Sequence, residues 1–112
     1  MGALPALTDA TFDAFVEGGS APAVIDFWAD WCGPCKPLAE LLEQLQAEHP
    51  EGLRIAKVDI EDAPRIVQRH DVMTLPTLLV FTDGELQARH AGGLGRTALL
   101  TFLASYLDAP AE

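Results

Sequence analysis

The chain has 112 residues, 49% of them hydrophobic and 21% charged, which suits one globular domain with a core of its own, expected to span residues 1-112. Its 17 acidic against 7 basic residues leave a formal charge of -10, which repels phosphate backbones and anionic lipid and argues against nucleic acid and membrane surfaces as partners. No run approaches the length of a membrane span. The opening MGALPALTDATFDAFVEGGS lacks a basic segment and is interrupted by Pro5, Thr8 and Asp9, so it does not read as an export signal and a cytoplasmic protein is expected.

Leu4 to Leu7 read as a short first strand, after which Thr8 or Asp9 is placed to cap a helix carrying Phe12, Phe15 and Val16, ended by Gly18-Gly19. AVIDFWA, Ala23 to Ala29, is a nearly continuous apolar run rich in branched and aromatic residues and suits a central strand covered on both faces. Leu38, Leu41, Leu42 and Leu45 then recur at helical spacing until His49-Pro50. LRIAKVDI, Leu53 to Ile60, reads as a second core strand, and Pro64 sits in the first turn of a short helix with Ile66 and Val67 inward. TLLVF, Thr77 to Phe81, is a third core strand; Asp83-Gly84 turns it into a hairpin with Glu85 to Ala91. Beyond Gly92-Gly93, Leu99, Phe102, Leu103, Tyr106 and Leu107 mark a closing amphipathic helix. This order predicts an α/β fold with a mixed sheet of about five strands flanked by four helices.

Both cysteines fall in FWADWCGPCKPL, at a strand-to-helix corner. Three residues apart on the first turn of a helix, Cys32 and Cys35 lie on one face and can close a small disulfide. Unpaired N-H groups and the helix dipole at that end favour a thiolate on Cys32, which makes it the exposed nucleophile, with Cys35 more buried and attacking second. Gly33 leaves room for an incoming disulfide and Pro34 stiffens the turn. Two plainer readings compete. A zinc site would need further ligands from His49, His70, His90 or scattered carboxylates. A structural disulfide closing so small a ring would restrain little of the unfolded chain. Asp26, alone in its apolar strand, is either a buried carboxylate with a raised pKa or one tied to loop amides or a lysine. Lys57 in the neighbouring strand, read alone, is a solvated strand-end lysine; Trp28 is either a core aromatic or a support for the site loop; Trp31 is expected to be exposed beside Cys32.

WCGPCK after VIDFWA, together with LTDATFDAFV, AKVDIED, LPTLLVF, DGE and the glycine pair at Gly92, resembles the thioredoxin family along the whole chain. The resemblance implies the thioredoxin fold and a general protein-disulfide reductant, cycling between dithiol and disulfide through a mixed disulfide with its target. It implies no bound cofactor and no metal. Reducing equivalents would come from NADPH through a thioredoxin reductase, the partners being that reductase and disulfide-containing proteins, with the chain a monomer. Asp26 would be the proton acceptor for Cys35, and Lys57 would modulate it. Trp31, Gly33, Pro34, Leu75, Pro76 and Gly92 would form a flat apolar rim, where backbone pairing beside Pro76 receives an extended target segment. Sequence alone makes the Leu75-Pro76 bond trans, whereas the family holds it cis. The alternatives are a disulfide oxidant or isomerase, against which Gly33-Pro34 speaks, and a binding module in which the thiols are incidental. Glu40 replaces a helix-kinking proline common in the family, so that any bend should move to Pro37, nearer the motif, and Thr74 stands where a small or basic residue is usual.

Overall fold

The computed structural model describes residues 4-107. The elements follow the predicted order: β1 (Ala6–Leu7), α1 (Phe12–Glu17), β2 (Ala23–Trp28), α2 (Cys35–Glu48), β3 (Arg54–Asp59), α3 (Pro64–Arg69), β4 (Thr77–Thr82), β5 (Glu85–Ala91) and α4 (Arg96–Leu107). The strands form one sheet in the order β1-β3-β2-β4-β5. β1, β3 and β2 run parallel, β4 is antiparallel to β2, and β5 returns antiparallel to β4.

The sequence of β2 explains its central place. Its side chains alternate between the two faces of the sheet, and both faces are covered. Ile25 and Phe27 pack with Phe12 and Val16 of α1 and Ile66 of α3. Val24 packs on the opposite face with Leu38, Leu42 and Leu45 of α2 and Leu99 and Leu103 of α4. Each such side chain taken from water contributes about 1.5–3 kcal/mol, so the leucine stripe of α2 outweighs the modest propensities of the loops around it. At the hairpin Asp83 and Gly84 both have positive φ, 52° and 80°, which matches the right-handed twist of the flanking strands.

Three local expectations are corrected. The first strand is Ala6–Leu7 and not Leu4 to Leu7: Leu4 packs in the α2/α4-side core while Leu7 packs in the other, and Pro5, having no N-H, contributes only its carbonyl, to Lys57 N-H at 2.9 Å. Neither Thr8 nor Asp9 caps α1. The N-H groups of Thr11 and Phe12 both reach Thr8 O, so a turn is inserted and Thr11 becomes the cap residue, while Asp9 is used elsewhere in the molecule. Pro37 breaks no helical hydrogen bond. It is the third residue of α2, where a helix has no internal partner for an N-H, and Gly33 O accepts from Lys36 instead.

Candidate active site

Asp26 sits mid-way along β2, opposite Lys57 of β3 and Leu78 of β4. Two residues from Val24, it shares the sheet face on which α2 lies. It is fully buried, and neither carboxylate oxygen has a hydrogen-bond partner. Burial raises its pKa from 3.8 to about 7, against the opposing pull of the Lys57 ammonium. Lys57 is half-buried, with Nζ 5.2 Å from the centre of the Trp28 ring, so it is not a solvated strand-end lysine. The half-buried Trp28 lies against the Lys57 ammonium, with its own Nε1 buried and without a hydrogen-bond partner.

Beyond β2 the chain turns sharply, Cys32 N-H reaching Ala29 O at 3.1 Å, and α2 begins at Cys35. Cys32 therefore stands ahead of the helix and not within its first turn. The amides of Cys35 and Lys36 turn back to Cys32 O and Gly33 O at 3.3 Å, and Pro34 and Pro37 have none. The loop lies at the amino end of α2, and the Lys36 ammonium is held there by Asp30 O at 3.1 Å.

Cys32 and Cys35 are joined as a disulfide, with Cα atoms 5.4 Å apart. The expectation of an exposed Cys32 is corrected for this oxidised state: its relative exposure is 5%, against 1% for Cys35. Cys35 is rooted in a helix packed on the sheet, and Cys32 is the more open of the two. Around it Trp31 is 68% exposed, as anticipated, and Gly33 and Pro34 are exposed as well. A side chain at Gly33 would meet nothing within 4 Å, so that approach is open.

Two further segments converge here. The Leu75-Pro76 peptide is cis, as the resemblance implied and the sequence alone did not. Gly92, at φ 107°, donates its N-H to Pro76 O at 2.8 Å, and a Cβ at Gly93 would stand 3.5 Å from Pro34 Cβ. The rim is less uniform than expected: Pro76 is buried, and Leu75 is half-buried against the α1/α3-side core. Sequence reasoning missed Glu61, whose carboxylate accepts from Trp31 Nε1 at 3.4 Å across thirty residues of chain, a contact with no local signal. Among the described residues no three His, Cys, Asp or Glu side chains gather to hold a metal, and no helix is long and apolar enough to cross a membrane.

The thioredoxin family model matches residues 3–105. The chain is 40% identical over 101 residues to a thioredoxin of Acidithiobacillus ferridurans, covering 90% of this chain and 94% of that one. It belongs to the thioredoxin family. A thioredoxin of Mycolicibacterium smegmatis is 42% identical over 104 residues, covering 91% of this chain and 93% of the other. A bifunctional thioredoxin reductase/thioredoxin of Mycobacterium leprae is 39% identical over 94 residues, which are 84% of this chain and 20% of that protein. The thioredoxin-family chain with its redox-active cysteine pair is a protein-disulfide reductant.

Proposed function

We propose that Cys32 is the attacking thiolate and Cys35 the resolving thiol, in a single domain acting as a monomer. In the dithiol form Cys32 Sγ attacks one sulfur of a target disulfide; the S-S bond breaks, one target thiolate leaves, and a mixed disulfide forms. Cys35 passes its proton to the Asp26 carboxylate and attacks Cys32 Sγ, which releases the second target thiolate and closes the Cys32–Cys35 bond. Two electrons have moved from the chain to the target. The observation that carries this assignment is the disulfide beside an open approach at Gly33, with Cys32 its more exposed member. A carboxyl with a pKa of about 7 suits proton acceptance near neutral pH, and Lys57 tunes it. Trp31, Gly33, Pro34 and Gly92 line the approach, while the backbone at Leu75-Pro76 pairs with an extended target segment.

A thioredoxin reductase, drawing on NADPH, returns the chain to the dithiol in the cytoplasm; the chain itself binds no cofactor. The fusion of a reductase to a similar sequence in the Mycobacterium leprae protein supports that partnership. Insulin-disulfide reduction coupled to a reductase and NADPH tests the reading. Turnover is expected with the wild type, a trapped mixed disulfide with Cys35→Ser, and no turnover with Cys32→Ser. In stopped flow, Asp26→Asn should slow release of the target more than its capture. A potential near the roughly -180 mV of disulfide isomerases would instead assign an oxidant or isomerase.

A further inference from the structure

Met73 has 88% of its surface exposed, the largest exposure of any bulky apolar side chain among the described residues. The backbone around it is pinned. Val72 N-H donates to Val67 O at 3.1 Å, the Thr77 hydroxyl donates to Thr74 O, and the Arg89 guanidinium donates to the carbonyls of His70 and Asp71. Held on both sides, Met73 is presented to solvent two residues ahead of Leu75. An exposed apolar side chain costs nothing when a partner covers it, and a thioether adapts to many partner shapes.

We propose that Met73 is a site of reversible oxidation that lowers the engagement of target proteins. The inference rests on the reading above, in which the segment at Leu75-Pro76 receives the target. The oxidant is a peroxide: its O-O bond breaks, one oxygen bonds to the thioether sulfur, and the other leaves as water or alcohol. The sulfur loses two electrons and the peroxide gains them. The product is a polar, chiral sulfoxide where the target meets an apolar side chain. The closed Cys32–Cys35 disulfide offers no thiolate to the same oxidant, so in the oxidised form of the protein the peroxide meets the thioethers without competition from the cysteine pair, and peptide mapping separates Met73 from Met1.

The test treats the disulfide form with hydrogen peroxide, removes the excess, and locates added oxygen by peptide mass mapping. The kcat/KM for insulin reduction is then measured with thioredoxin reductase in excess. The expected result is one oxygen on the peptide containing Met73, with kcat/KM lowered about fivefold and recovered after treatment with methionine sulfoxide reductases of both epimer specificities. Met73→Leu, compared with its own untreated form, should show no such fall. Unmodified Met73, unchanged kcat/KM in the sulfoxide form, or an equal fall in treated Met73→Leu would each overturn the proposal while leaving the reductant reading intact. An untreated protein that fails to reduce insulin would overturn both.

Discussion

Asp26, fully buried, and His70, half-buried, are titratable groups whose effects on stability run in opposite directions with pH. Asp26 has a folded pKa of about 7 against an ordinary 3.8, so between those values the folded chain holds a proton that the unfolded chain has lost. Stability from this group is therefore greatest below pH 4 and falls as the pH rises through 7, by about 4 kcal/mol in all. His70 lies 5.2 Å from Phe12, 5.7 Å from Phe81 and 6.5 Å from Phe27, ring centre to ring centre, and burial lowers its pKa. The guanidinium groups of Arg69 and Arg89 lower it further, while its bond to Ile66 O and the Asp13 carboxylate oppose them. Its depressed value means that stability is intact above about pH 6.5 and is lost as the pH falls. Urea unfolding of the wild type and Asp26→Ala at pH 4 and pH 8 checks the first claim. The variant should gain on the wild type between the two pH values, and a difference that does not change with pH would refute it.

At the scale of elements, short helices depend on caps supplied from elsewhere. α3 has six residues and Ala63 at its cap position, which has no side chain able to accept a hydrogen bond. The Asp9 carboxylate fills that role from across the molecule, accepting from Ile66 N-H at 3.0 Å and Arg65 N-H at 3.3 Å, where its negative charge also meets the positive end of the helix dipole. Asp9→Ala should cost about 1 kcal/mol, with increased amide exchange at Arg65 and Ile66 ahead of any change in α1. Gln46 works in the same way at the other end of α2, with Nε2 donating to His49 O and Leu53 O and Oε1 accepting from Ile55 N-H. Gln46→Ala leaves a part-buried strand amide unpaired, and a loss of about 1–3 kcal/mol is expected in denaturant unfolding.

For the molecule as a whole, the redox cycle requires a fold that survives both states of its cysteine pair. Cys32 and Cys35 are three residues apart, so the bond restrains a very small loop of the unfolded chain, while two apolar clusters on opposite faces of the sheet hold the tertiary structure. Reduction should cost about 2 kcal/mol and leave the near-ultraviolet circular dichroism of a folded protein. Collapse on adding dithiothreitol would mean that the disulfide is structural.

The order of elements, the faces of β2 and α2, the Asp83-Gly84 turn and the cysteine pair were legible in the sequence, because periodicity, turn chemistry and a short motif act between near neighbours in the chain. WCGPCK in that setting also revealed the family, and with it the cis Leu75-Pro76 bond. Other features needed the tertiary structure: Asp9 capping a helix 56 residues away, Glu61 bonding Trp31, and Gly93 meeting Pro34. Each joins residues distant in sequence, and their partners exist only once the sheet has brought its strand ends together. A carboxylate in an apolar strand announces itself locally; how strongly it holds its proton depends on Lys57 opposite and on the burial that the surrounding sheet and helices impose.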